Sequence, residues 1–382
     1  MKVFAPRILS TLVLAGVTLL CSACQHEARA REMEWVQNGT LTPAGKERQR
    51  LGLLAFEDGQ DAQAYALWHP LAEQGHAESQ FNLAVLLHQG RDVPTDHRQS
   101  FVWMQKALAG GYAAACHDVG LAYEEGKLVP RDAHRAVDIW LQGAQARDTD
   151  CAIDAADALL RGQGGDGGES DARHARVLLT QAATAGNVRA MNRLGSAYLH
   201  GHHWPTDYPQ AIRWLKMAVD AGSGEAEFNL GVMYDQGLGT ERDAKTAFIH
   251  YEKAAAQGVP EAMNNLGYAY RWGEGVEQDL GKALLNLRAA YAAGVISAAV
   301  NLGDMIFLGL GAAADRASAT QFYLAAARAG QPDAQCRLAM QLRNGEGIEA
   351  NSALAREWAE HAHAQRPDLK CDQRLGDFLR QR

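Results

Sequence analysis

Residues 225–260 read EAEFNLGVMYDQGLGTERDAKTAFIHYEKAAAQGVP, and the spacing within them decides the fold. Ala226, Leu230 and Tyr234 stand four apart, which places them on one face of a first helix running from about Glu225 to Gln236. Gly237 stops that helix. Asp243 then offers side-chain oxygens to the unpaired backbone N–H groups that open a second helix, the reason Asp and Asn lead at N-caps. In the second helix Ala247, Phe248, Tyr251 and Ala255 form the apolar face, and Gly258 stands where a left-handed residue ends it. Two helices this short cannot bury their apolar faces alone, so the stretch needs copies of itself on either side.

The copies are present. Leu194-Gly195, Leu230-Gly231, Leu266-Gly267 and Leu302-Gly303 recur every 36 residues, with echoes at Leu83-Ala84, Val119-Gly120, Ala155-Ala156, Leu338-Ala339 and Leu375-Gly376. A second marker keeps step: Asp96, Asp132, Asp171, Asp207, Asp243, Asp279, Asp315 and Asn351, with a single 39-residue step across the glycine-rich stretch 162–168. The terminal glycine recurs at Gly111, Gly186, Gly222, Gly294 and Gly330. An aromatic recurs in the second helix at Trp103, Trp140, Trp214, Tyr251, Tyr323 and Trp358, where it would fill the space between pairs. Eight units fit between Ala77 and Asp368. The fold expected is all-α, an α/α solenoid of helix-turn-helix repeats wound into a right-handed superhelix with atypical ends. Residues 51–76 read as a degraded N-terminal capping repeat, with Asp61 as cap and Trp68 as the aromatic, and residues 369–382 as a C-terminal capping helix. Residues 24–50 show no periodicity and read as a tether.

The run Ala262 to Tyr270, followed by Gly273-Glu274-Gly275-Val276, Asp279 and Lys282-Ala283, resembles the SEL-one-like repeat, a relative of the tetratricopeptide repeat. The resemblance covers most of the chain beyond the N-terminal segment and implies a role in protein–protein contact. It also implies that the first helices line a concave, ligand-touching face. On that face the residue before each Leu-Gly marker gives the row Asn82, Asp118, Asp154, Arg193, Asn229, Asn265, Asn301 and Arg337. Amides both donate and accept, so such a ladder suits the backbone of an extended partner segment. One or two turns on lie Tyr198 and His200, Met233 and Gln236, Ala269 and Trp272, Met305 and Leu308. Trp272 with Arg271 is the expected hot spot, since Trp and Arg supply much binding energy per residue. The other reading is structural, with each Asn bonding a neighbouring repeat.

At the N-terminus Lys2 and Arg7 flank an apolar run, Ile8 to Leu20, that ends in Cys21-Ser22-Ala23-Cys24. A run shorter than the roughly 18 apolar residues of a membrane span, followed by Gln25, His26 and Glu27, reads as a signal peptide over residues 1–23. Ser22-Ala23-Cys24 resembles a bacterial lipobox, which implies acylation at Cys24; a rival cleavage site stands at Ala28-Arg29-Ala30. Gln25 after the cysteine resembles outer-membrane sorting. The expected place is the periplasmic side of the bacterial envelope, with the membrane met through the lipid alone. A formal net charge of −8 makes nucleic acid and anionic surfaces poor partners.

Cys116 and Cys151 are 35 residues apart, as are Cys336 and Cys371, so each pair falls near equivalent points on first helices of adjacent repeats. Two disulfides, Cys116–Cys151 and Cys336–Cys371, are expected, against the alternative of four small buried thiols. His200, His202 and His203 beside Trp204 are a weak candidate for a metal, and Asp207 nearby is taken up as an N-cap. The usual nucleophile and phosphate-loop signatures are missing: no Gly-x-Ser-x-Gly, no Ser-x-x-Lys, and no glycine-rich loop ending in Gly-Lys-Ser or Gly-Lys-Thr. The expectation is a protein that is no enzyme and needs no cofactor. The resemblance supplies two concrete roles: an immunity lipoprotein that occludes a lipase delivered by a type VI secretion system, and an outer-membrane assembly scaffold of the kind used in exopolysaccharide export. A periplasmic hydrolase or β-lactam-binding enzyme is the third reading, although the dense cysteine pattern of the β-lactam-linked members is missing.

Overall fold

Second helices in this chain begin where an Asx side chain can receive their first N–H groups. Asp96, Asp132, Asp207, Asp243, Asp279, Asp315 and Asn351 each accept from the backbone N–H three residues on. First helices end where glycine allows a left-handed residue, as at Gly237 with φ +70°. The computed structural model describes residues 35–165 and 167–366, and the segmentation follows these signals. An antiparallel hairpin, β1 (Val36–Gln37) with β2 (Thr40–Leu41), precedes α1 (Pro43–Glu57) and α2 (Asp61–Glu73). Then come α3 (Ala77–Gln89), α4 (His97–Ala109), α5 (Cys116–Glu125), α6 (Ala133–Gln145), α7 (Thr149–Leu160) and α8 (Glu169–Thr184). The pairs continue with α9 (Val188–His200), α10 (Tyr208–Asp220), α11 (Gly224–Gln236), α12 (Ala244–Ala256), α13 (Pro260–Trp272) and α14 (Leu280–Ala292). The last are α15 (Ser297–Leu308), α16 (Arg316–Arg328), α17 (Pro332–Asn344) and α18 (Ser352–Gln365). The chain divides into two compact units between Leu178 and Leu179, inside α8. Within each, the two helices of a pair pack together and first helices of adjacent pairs touch, as α5 with α7 and α13 with α15 do, so the fold is an α/α solenoid of stacked pairs.

The Leu-Gly marker acquires a physical reason. Leu230, Leu266 and Leu302 are buried in the core of the second unit. The glycine beside each lets a second-helix side chain lie against the first helix. A Cβ at Gly231 would come within 2.7 Å of the Tyr251 ring, and one at Gly303 within 2.7 Å of Tyr323. At Gly195 and Gly267 the intruding side chain is Leu215 or Leu287 instead, at the same repeat position as the two tyrosines.

The folded region starts earlier than the tether reading over 24–50 allows. Asn38 and Gly39 both have positive φ, 50° and 77°, and close the hairpin. An Asn-Gly pair between short apolar strands is the strongest local hairpin signal, and it was legible in the sequence. Gln74 accepts from the Trp35 and Val36 N–H groups at 2.8 and 3.1 Å, while Arg48 donates to the Leu67 and Ala66 carbonyls. The N-terminal repeat is therefore a full pair, α1 with α2, whose Trp68 indole fills the space beside Gly52. Asp61 is not its cap: Gln60 stands at that position without a side-chain bond, and the buried Asp61 carboxylate takes a two-point contact from Arg91 at 2.7 and 2.9 Å. Asp171 also departs from the cap row, because α8 begins two residues before it; its carboxylate instead accepts from the Gly167 N–H of the inserted loop at 2.8 Å. Residues 1–34 and 367–382, including Cys24, Cys371 and the expected C-terminal helix, lie outside the described residues.

The caps carry a pH dependence. Thr246 donates both its hydroxyl, at 2.6 Å, and its N–H to Asp243, and Ser318 does the same to Asp315; these bonds hold both carboxyls below the ordinary carboxylate range. A depressed folded-state pKa means a stabilisation fully present above the unfolded carboxylate pKa and lost as pH falls through the folded one. Thermal unfolding followed against pH should show a shallower acid loss for Asp243→Asn/Asp315→Asn than for the parent, since Asn caps without titrating. Identical acid slopes would remove these caps from the acid response.

Candidate protein-binding face

The first helices of the second unit carry the row expected to meet a ligand, and its members bond across repeats. Asn229 on α11 donates to Asn192 on α9 at 3.3 Å, and Asn192 in turn donates to Glu225. Asn301 on α15 donates to Asn264 on α13 at 3.4 Å, and Asn264 to Asn265 at 3.3 Å. Asn265 also hydrogen-bonds the buried Tyr251 hydroxyl, whose pKa burial pushes up. Arg193 is exposed, while Asn229, Asn265 and Asn301 are half-buried. The amides thus serve structure and still line the face, with donor and acceptor capacity left over. Asn192 and Asn264, one residue before the row, were not in the sequence reading; asparagine in first helices just before the marker was the available signal.

Met233 and Arg271 belong elsewhere. Met233 is 0% exposed and packs inside the stack, as do Ala269 and Met305 at the same repeat position. One residue advances a helix by about 100°, so a step of four rolls about 40° toward the core leucine, while a step of three rolls about 60° away from it. The outward sequel to Asn265 is therefore Tyr268, 44% exposed, and then Trp272, 41% exposed, with ring centroids 6.2 Å apart. Arg271 is only 4% exposed and lies with its guanidinium carbon 4.8 Å from the centre of the Trp272 ring, supporting the hot spot from beneath.

What buries Arg271 is Asp304 on α15. Arg337 on α17 places Nε 2.5 Å from Asp304 Oδ1 and donates from Nη2 to Oδ2 at 2.6 Å. The Tyr323 hydroxyl donates to Oδ1 at 2.9 Å, and Arg271 Nη1 stands 3.7 Å from Oδ2. Burial pushes the Asp304 carboxyl up and the Arg271 guanidinium down, each against the pull of its opposite charges. The cluster ties three successive first helices together and is invisible to local sequence reading.

Two clefts open on this face. One, about 530 Å³, lies between α9 and α11, where Arg189 and Arg193 face Glu225 and Glu261. The other, about 210 Å³, lies between α11 and α13 over α12, with Asn264, Asn265, Tyr268 and Asn301 on its walls. In the first unit the row continues with Asp118 and Asp154. Asp154 pairs with His117 at 2.6 Å, and burial raises the Asp118 carboxyl. Among the described residues, the one trio of ligand atoms close enough to share a metal ion is Cys116, Asp148 and Cys151. Both of those sulfurs are bonded to each other in the structure, with Cα atoms 6.3 Å apart. His200, His202 and His203 form a string of rings 5.4 and 6.4 Å apart and converge on no common point. No helix among the described residues is long and apolar enough to cross a membrane.

The family model of the Sel1 repeat matches eight consecutive segments, 77–112, 113–148, 150–187, 188–223, 224–259, 260–295, 296–331 and 332–362. Among solved structures, a protective antigen of uropathogenic Escherichia coli displaying an SLR fold is 27% identical, with a TM-score of 0.67 over 79% of this chain and 64% of that one. The chain thus spans a little under two-thirds of that protein's length. A Sel1 repeat protein from Oxalobacter formigenes is 25% identical, with a TM-score of 0.61 over 81% of this chain and 89% of its own. An immunity protein from Pseudomonas aeruginosa overlaps 54% of this chain and 78% of its own at 23% identity and a TM-score of 0.38, an overlap from which no function is carried over.

Proposed function

The chain belongs to the Sel1 repeat family, and on that premise we propose that it is a non-catalytic receptor that binds another protein along the first helices of its second unit. We propose further that it does so on the periplasmic side of a bacterial envelope, tethered through a lipid on Cys24. The observation that carries the binding reading is the exposed Tyr268–Trp272 pair, set on a rigid helix beside an amide ladder and backed by the buried Arg271. Large aromatic rings held out of the core are the side chains that most often anchor an interface. The tether rests on the apolar run Ile8 to Leu20 and the Ser22-Ala23-Cys24 processing signal.

The test is crosslinking and affinity capture of the mature protein from bacterial envelopes. Trp272→Ala with Asn265→Ala should lower recovery of the partner at least tenfold, while the unfolding free energy falls by about 1 kcal/mol, the worth of the Asn265 hydrogen bond. Undiminished recovery would move the partner to another surface. Cys24→Ser should release the protein from the membrane fraction, and retention there would sink the anchor. A single secreted enzyme in the eluate, inhibited on binding, assigns the immunity role; several envelope components recovered together assign the scaffold.

A further inference from the structure

The smaller cleft has a chemistry that the larger one lacks. Its lining combines Val232, Phe248 and the Tyr251 ring with amides and two carboxylates, Asp235 and Glu274. At about 210 Å³ it holds the equivalent of roughly seven waters at about 30 Å³ each, the scale of one long side chain. The two carboxylates already accept a guanidinium from the chain itself. Arg242 Nη2 stands 3.2 Å from Glu274 and 3.7 Å from Asp235. Arg242 does not fill the cleft, however. Its Nε donates to the Asp235 carbonyl at 2.8 Å, and the side chain remains 61% exposed at the rim. Two carboxylates against one guanidinium leave one negative charge at the exposed rim; the other cation near Tyr268, Arg271, is buried against Asp304. The exposed Tyr268 ring adds a face on which a cation can rest. An aliphatic stem laid along aromatic and apolar side chains, with its charged head beside carboxylates, is how Lys and Arg side chains bury. In the cleft between α9 and α11, by contrast, two arginines face two glutamates, and no sign of charge is favoured.

We infer that the cleft between α11 and α13 receives a single basic side chain, arginine or lysine, carried on an extended segment of the bound protein. The amides of Asn264, Asn265 and Asn301 along the cleft wall then bond the backbone on either side of that residue. The inference rests on the protein-binding reading above and names the chemistry of its partner.

The probes are N-acetyl-arginine amide and N-acetyl-lysine amide, titrated into the isotopically labelled mature chain and followed by NMR, with N-acetyl-glutamine amide as the neutral control. The expected result is saturable shifts confined to Val232, Asp235, Asn265, Tyr268 and their neighbours, with arginine against lysine ranking the two cations. The neutral amide should shift nothing there. Asp235→Asn/Glu274→Gln should weaken the cation at least tenfold, and Arg242→Gln should tighten it threefold or more by removing the internal competitor. A merely structural Arg242 would not produce that gain. Shifts scattered over surface carboxylates, an equal response to the neutral amide, or an affinity unmoved by either variant would overturn the inference. The capture experiment reads the binding face independently, so partner recovery with a failed titration discards the basic side chain alone.

Discussion

Replacing Asp304 by alanine is expected to destabilise the protein by about 3–5 kcal/mol, read from urea unfolding, because it removes the carboxylate that the buried Arg271 guanidinium faces and that Arg337 and Tyr323 both bond. Arg337 loses a two-point contact at 2.5 and 2.6 Å, Tyr323 loses its acceptor at 2.9 Å, and Arg271, 4% exposed, loses the carboxylate 3.7 Å from its Nη1. The magnitude reflects the uncompensated charge more than the worth of the cluster. Replacing all three charges and the hydroxyl they satisfy, as Arg271→Met/Asp304→Leu/Tyr323→Phe/Arg337→Met, should accordingly leave stability near the parent value or above it, since a buried ion cluster seldom outdoes well-packed hydrophobes. A loss below about 1 kcal/mol for Asp304→Ala would mean that the guanidiniums escape to solvent. Because Arg271 supports Trp272, the quadruple variant also separates the stability of the stack from the display of its aromatic pair.

The second large effect lies in the first unit. Cys116 on α5 and Cys151 on α7 are joined across adjacent first helices, and both are fully buried. The bond spans 35 residues, so opening it frees an unfolded loop that costs roughly 3–4 kcal/mol in the chain-entropy model. Gly143 on α6 makes room for the crossing: a Cβ there would come within 2.9 Å of the Cβ atoms of both cysteines. Cys116→Ser/Cys151→Ser should lower the unfolding free energy by that amount under oxidising conditions and by nothing in excess reductant, where the parent loses the same bond. Equal stability of parent and variant without reductant, or reactive thiols at Cys116 and Cys151 in the denatured oxidised chain, would remove the staple. The companion bond expected between Cys336 and Cys371 ends on a residue outside the described region; Cys336 itself is buried on α17.

These two effects come from contacts of different range, and so does the legibility of the rest. Sequence by itself determined the repeat, its 36-residue period, the Asx cap of nearly every second helix and the glycine that closes nearly every second helix. Those features are set by groups within a few residues of each other, where helix periodicity and capping chemistry act without reference to the remainder of the chain. The Cys116–Cys151 pairing was legible for a related reason, since one repeat length returns the chain to an equivalent point on the neighbouring helix. The Asn38-Gly39 hairpin is equally local, an Asn-Gly pair with positive φ at both residues.

Tertiary structure alone decided which side of each first helix meets solvent. Met233 and its counterpart Ala269 face the core while Tyr268 and Trp272 face outward, because the neighbouring pair fixes the rotation of each helix about its axis. It also decided the fate of Arg271, buried by a carboxylate 33 residues away on the next first helix, and the amide contacts of Asn192 and Asn264, each made with a residue 37 positions on. A repeat period places such residues near one another but does not say which side chains face each other, since that depends on the packing angle and spacing of helices that local sequence does not encode.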